Sequence, residues 1–104
     1  MIYKVKVTVN AEEDLDRIVS YLLFEKKNSQ AARNLLLDFE KTVEKLSYSA
    51  GSIALCSNSY LNRNGYRRIG LQHYRYFLLY RIKEDTVVID KMFHELQDYE
   101  NKMK

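Results

Sequence analysis

Tyr66-Arg-Arg-Ile-Gly-Leu-Gln-His-Tyr-Arg-Tyr-Phe-Leu-Leu-Tyr-Arg-Ile-Lys-Glu-Asp-Thr-Val-Val-Ile-Asp-Lys-Met-Phe93 is the stretch on which the fold turns. Three runs rich in aromatic and β-branched residues, Tyr66–Leu71, Tyr74–Ile82 and Thr86–Phe93, are divided by Gln72-His73 and by Lys83-Glu84-Asp85. Short apolar runs between polar breaks predict a β-meander. Tyr76-Phe-Leu-Leu-Tyr80 is apolar at consecutive positions, as in a central strand covered on both faces. Register is the open point. Closing the last hairpin through two residues, Glu84-Asp85, or through four places Arg75 opposite His94 and Arg81 opposite Val88. Closing it through three places Tyr74 opposite His94. A slip of one residue moves a side chain to the other face.

Upstream, residues 2–9 alternate: Tyr3, Val5, Val7 and Val9 on one face, Ile2, Lys4, Lys6 and Thr8 on the other, the pattern of a half-buried strand. Asn10 with Glu13 three residues on reads as a capping box, and Leu15, Ile18, Val19, Leu22 and Leu23 form one helical stripe. A polar break at residues 25–29 precedes a second stripe, Ala32, Leu35, Leu36, Phe39, Val43 and Leu46. Two amphipathic helices joined so briefly predict an antiparallel hairpin. Residues 47–65 are rich in Ser, Asn and Gly. A nineteen-residue irregular connection is unusual in so small a chain, so a short strand or turn is expected within it. Residues 94–104 are polar, suited to a short C-terminal helix or tail.

The order β-α-α-β-β-β predicts an α+β fold, an antiparallel sheet with an N-terminal helical hairpin packed on one face. The 104 residues fit one domain, 1–104. Hydrophobic residues at 46% and charged residues at 30% exclude a disordered chain. The absence of Pro, with only three Gly and one Cys, excludes collagen-like and disulfide-framework classes. The longest strongly apolar run, Tyr76–Tyr80, is far too short for a membrane span. The alternating N-terminus lacks the continuous apolar stretch of a signal peptide. With Cys56 unpartnered, the expected setting is cytoplasmic.

The formal charge of +3 is unevenly placed. No acidic residue occurs between Glu44 and Glu84, while Lys45, Arg63, Arg67, Arg68, Arg75, Arg81 and Lys83 do. Such a segment is either a solvated basic face or a surface for a polyanion, nucleic acid or acidic protein. Gly-rich phosphate loops and Cys/His clusters with metal spacing are absent, so neither a metal nor a cofactor is expected. Nothing in the Ser- and Asn-rich surroundings of Cys56 marks an activated thiol. Metal-free cleavage of RNA through its 2′-hydroxyl needs a base, an acid and cations for the phosphorane. Histidine is the residue type suited to such proton transfer, which singles out His94, while Arg67, Arg68, Arg75 and Arg81 offer phosphate contacts and Tyr99 offers a ring or hydroxyl. Each also has a plain structural role open to it: His94 as an ordinary strand-end histidine, Tyr99 as an anchor for the tail. Arg67 and Arg68 point to opposite faces of a strand, so at most one of them joins a given site.

The element order, the segments Tyr66-Arg-Arg-Ile and Tyr74-Arg-Tyr-Phe-Leu-Leu-Tyr-Arg-Ile82, and the ending Val87-Val-Ile-Asp-Lys-Met-Phe-His94 together resemble the RelE/ParE superfamily of bacterial type II toxins, found in toxin–antitoxin or plasmid-stabilisation systems. The resemblance implies a cognate antitoxin that wraps and neutralises the toxin. It also implies one of two targets. RelE-like members cleave mRNA in the ribosomal A site without a metal, whereas ParE-like members share the fold and inhibit DNA gyrase. Carried over, Arg75 matches the phosphate-contacting arginine of the family's Tyr-Arg strand, His94 the catalytic histidine of several nuclease members, and Tyr99 the C-terminal aromatic near the substrate. Glu95-Leu-Gln-Asp98 departs from the basic pair common after that histidine and removes positive charge there. The expectation is a ribosome-dependent mRNA endonuclease toxin. The alternatives are a gyrase inhibitor without nuclease activity and a non-toxic degenerate member that binds DNA with its antitoxin.

Overall fold

A computed structural model describes residues 2–103. Strand β1 (Lys4–Val7) leads into α1 (Val9–Ser20), which runs on through one wide π turn at Tyr21–Glu25. Helix α2 (Ser29–Ser49) returns antiparallel to it, a short 3-10 turn follows at Ala50–Ser52, and α3 is Ser59–Arg63. The meander is β2 (Arg67–Gly70), β3 (Tyr76–Lys83) and β4 (Thr86–His94), and α4 (Tyr99–Lys102) follows. No helix among the described residues is long and apolar enough to cross a membrane.

The helix ends follow side-chain capping. Thr8, rather than Asn10, caps α1, its Oγ1 accepting from Ala11 N at 3.2 Å. Asn28 and Asn58 cap α2 and α3 in the same way. Lys27 just before Asn28 adopts φ 50°, which turns the chain sharply between the two long helices. The irregular stretch after α2 therefore holds a helix, α3, and one isolated bridge, Leu55 with Arg67, instead of a full strand.

The fold is α+β, with one difference from an all-antiparallel sheet: the strand order is β1-β4-β3-β2, and β1 runs parallel to β4. The cause is where α2 ends. Tyr3 N donates to Ser47 O, so the end of α2 lies beside the start of β1. A three-stranded meander that begins at that end has its last strand running the same way as β1.

The last hairpin closes through Glu84-Asp85, and Arg81 faces Val88. A bulge then interrupts β4: Tyr80 faces Ile89, but Leu79 faces Lys91. Past the bulge Tyr76, and neither Arg75 nor Tyr74, faces His94. Contacts from helix α1 and its N-cap hold the extra residue in place. Thr8 Oγ1 donates to Asp90 O at 3.3 Å, and the buried Asp14 accepts from Met92 N at 3.0 Å.

The sheet is apolar on both faces. Leu78, Tyr80, Val87, Ile89 and Met92 meet Ala11, Leu35, Phe39 and Leu46 of the helices. Phe77, Leu79 and Phe93 face the other way, onto Cys56 and Leu61, with Tyr60, Tyr66, Tyr99 and Met103 around them. This second core is roofed by α3 and α4.

Tyr80 is fully buried, and its hydroxyl donates to Ala50 O at 2.8 Å. Burial pushes its pKa up to about 12, from an ordinary 10. A tyrosine raised in the folded state gives stability that is complete below the unfolded value and is lost between about pH 10 and pH 12. Alkaline unfolding should therefore steepen over that window, by about 2–3 kcal/mol in all. Tyr80→Phe should be slightly less stable at pH 8, by about 1 kcal/mol. It should lack that part of the alkaline loss. Urea titrations at pH 8, 10 and 12 check both.

Candidate functional site

The β4 bulge and the turn after it set the geometry at His94. His94 N donates to Gln97 Oε1 at 2.7 Å, Gln97 N donates to His94 O at 3.0 Å, and Leu96 N donates to His94 Nδ1 at 3.1 Å. Nδ1 is thereby an acceptor, which leaves Nε2 to carry the proton of the neutral ring. Across the ladder the Tyr76 ring meets His94 edge-on, centroids 5.1 Å apart. Both belong to the α1 side of the sheet, where a cavity of about 610 Å³ is lined by His94, Tyr76, Arg17, Tyr21, Lys91 and Gln97 among others. Burial pushes the Tyr76 hydroxyl up, with Tyr21 adding to the effect.

Tyr99 lies on the opposite face. Its ring packs on Phe77 at 4.9 Å and on Phe93 at 6.2 Å, inside the second core. Arg68 lies over the same rings, its guanidinium carbon 3.8 Å from the Phe77 centroid and 5.3 Å from that of Tyr99. Arg67 points the other way, as alternation requires, and donates to Ile53 O. Arg81 pairs with Asp90, Nε to Oδ2 at 2.8 Å, and lies 5.2 Å from the Tyr66 ring. Arg75 is exposed in the bend before β3, with its carbonyl accepting from Glu95 N at 2.9 Å. Of the six residues singled out from the sequence, Arg68 and Tyr99 meet in the second core, and Arg75 reaches the His94 turn through its carbonyl alone, on Glu95 N.

Cys56 is buried under α3, and burial pushes its thiol up, away from a reactive thiolate. His73 is exposed, and its N–H, with that of Gln72, donates to the buried Asp38 at 2.8 and 3.0 Å. The described residues hold no group of three or more His, Cys, Asp and Glu placed to bind a metal.

Two buried carboxylates escape a reading by charge alone. Asp14 accepts from Arg17 at 2.8 Å, from Lys91 at 3.1 Å and from Met92 N, joining α1 to the bulge. Asp38 joins α2 to the β2–β3 connection and so fixes the approach to Arg75. A signal for both was in the sequence. Each is an acid within an apolar helical stripe, Asp14 between Ala11 and Ile18, Asp38 between Leu35 and Thr42.

The same fold recurs among solved structures. One from the chromosomal ParDE toxin–antitoxin system of P. aeruginosa matches with a TM-score of 0.72 and 21% identity, over 89% of this chain and 96% of that one. One from the RelBE2 toxin–antitoxin complex of Mycobacterium tuberculosis matches with a TM-score of 0.59 and 20% identity, over 90% and 99%. These two matches show a shared fold. No curated protein matches it. The family model described as the ParE toxin of the type II toxin–antitoxin system parDE matches residues 5–99, and the chain belongs to that family.

Proposed function

We propose that this type II toxin acts by binding a protein target, with DNA gyrase, one of the two targets the resemblance implies, as that protein, and that a cognate antitoxin neutralises it. The observation that supports this best is the division of the cleavage candidates between two faces of one sheet. His94 faces α1 with Tyr76, while Tyr99 is packed against Phe77 on the far side. A base and an acid acting on one phosphodiester must reach the same atoms. The arginines support the same reading: Arg67, Arg68 and Arg81 are bound to a carbonyl, two rings and a carboxylate within the fold. Solved relatives of this fold come from ParDE and RelBE2 toxin–antitoxin systems, which supports an antitoxin partner here. Leu23, Phe24, Leu36 and Leu37 are exposed on the helical hairpin and offer such a partner apolar surface.

The mRNA-cleavage reading keeps one observation in its favour, the exposed Arg75 beside the His94 turn. Growth separates the two readings. Expressed without antitoxin, the chain should arrest growth, and His94→Ala should arrest it equally. Loss of arrest in a His94→Ala protein with an unchanged circular-dichroism spectrum would favour cleavage.

A further inference from the structure

We propose that the cavity between α1 and the His94–Gln97 turn is a binding site for a mononucleotide, its phosphate held by Arg17 and Lys91 and its base lying among Tyr21, Tyr76 and His94. The proposal is independent of which target the toxin attacks.

The cations are positioned in advance. Arg17 Nη2 and Lys91 Nζ both contact one oxygen, Asp14 Oδ1, at 2.8 and 3.1 Å, so they are at most 5.9 Å apart. A single anionic oxygen making two charge-assisted bonds of about 2.8 Å bridges cations up to about 5.6 Å apart, close to that upper limit. The Asp14 side chain is only 5% exposed and is also fixed by Met92 N, so it works as an orienting group behind the two cations. Arg17 remains 65% exposed and Lys91 29% exposed, which leaves donors free for a ligand. Charge selects the anion. Arg17, Lys91 and Lys102 line the cavity against Asp14 alone, an excess of two positive charges. A phosphate monoester, with a second pKa of about 6, is largely a dianion at neutral pH and matches that excess, whereas a carboxylate brings a single charge.

The rest of the lining suits a flat ring. Tyr76 and His94 stand edge to face, Tyr21 borders the opening, and Nε2 of His94 is the ring nitrogen left for a ligand. The volume, about 610 Å³, is in the range of small-ligand pockets. A filled site would link α1 to the C-terminal turn, which now meet across open space.

The test uses the purified full chain, with AMP, adenosine and inorganic phosphate as probes and NMR shifts of Tyr76 and His94 as the readout. AMP should saturate these shifts, with adenosine and inorganic phosphate each at least about tenfold weaker. Arg17→Gln and Lys91→Gln should each weaken AMP by about tenfold, the loss of one charge-assisted contact. Arg63→Gln, on α3 and outside the cavity, should leave AMP binding unchanged. If Lys91→Gln does not fold, Lys102→Gln serves in its place. Absence of saturable shifts, adenosine or inorganic phosphate binding as tightly as AMP, or an equal loss in Arg63→Gln would each overturn the proposal.

Discussion

Phe77→Ala is expected to destabilise the chain by about 3–5 kcal/mol, the usual cost of truncating a fully buried phenylalanine. Phe77 has no exposed surface and lies on the face of β3 turned away from the long helices. Its ring carries Tyr99 on one contact and the Arg68 guanidinium on another, so truncation removes the support for α4 as well. Small domains have a total stability of about 5–15 kcal/mol, so the loss should be plain in a urea titration. The size of the effect has functional meaning. If this face were an open groove for RNA, Phe77→Ala would cost well under 1 kcal/mol and would spare the fold. A large loss supports a packed second core in which Tyr99 and Arg68 are structural. Near-neutral stability would return both residues to the list of candidates for substrate contact.

Asp14→Ala comes next, at about 2–3 kcal/mol. Most of that cost is the Met92 N–H, left without a partner in a buried setting. Arg17 and Lys91 lose their shared anion too, but both reach solvent, so their part is smaller. For a chain of this size the melting temperature should fall by roughly 10–20 °C. Lys91→Ala should cost under about 1 kcal/mol, because Asp14 keeps Arg17 and the amide. Equal losses in the two variants would contradict the view that Asp14 is the pin of the bulge. Differential scanning calorimetry of both decides it.

Much of the fold was legible because periodicity is a strong signal. The stripes at Leu15–Leu23 and Ala32–Leu46 marked the helices, and the unbroken Tyr76–Tyr80 marked the strand buried on both faces. The two-residue hairpin at Glu84-Asp85 was among the closures the sequence allowed. Two features were not legible. The parallel pairing of β1 with β4 depends on where a 21-residue helix ends in space, which no local pattern encodes. The bulge depends on Asp14, 78 positions from the amide it accepts. That single extra residue replaces Arg75 by Tyr76 opposite His94, so a site built from strand register alone pairs the wrong neighbours. The candidate arginines were visible as a basic segment. What engages them, Ile53 O, the Phe77 and Tyr99 rings and Asp90, is set by tertiary packing.

A supercoiling assay tests the central claim most directly. Purified DNA gyrase and relaxed plasmid are incubated with the folded, antitoxin-free chain, and a translation reaction on a defined mRNA runs in parallel with its 5′ ends mapped. The account predicts loss of supercoiling in a dose-dependent manner, with no new ends at A-site codons. Full supercoiling at excess toxin, together with new ribosome-dependent ends that disappear in His94→Ala, would contradict it.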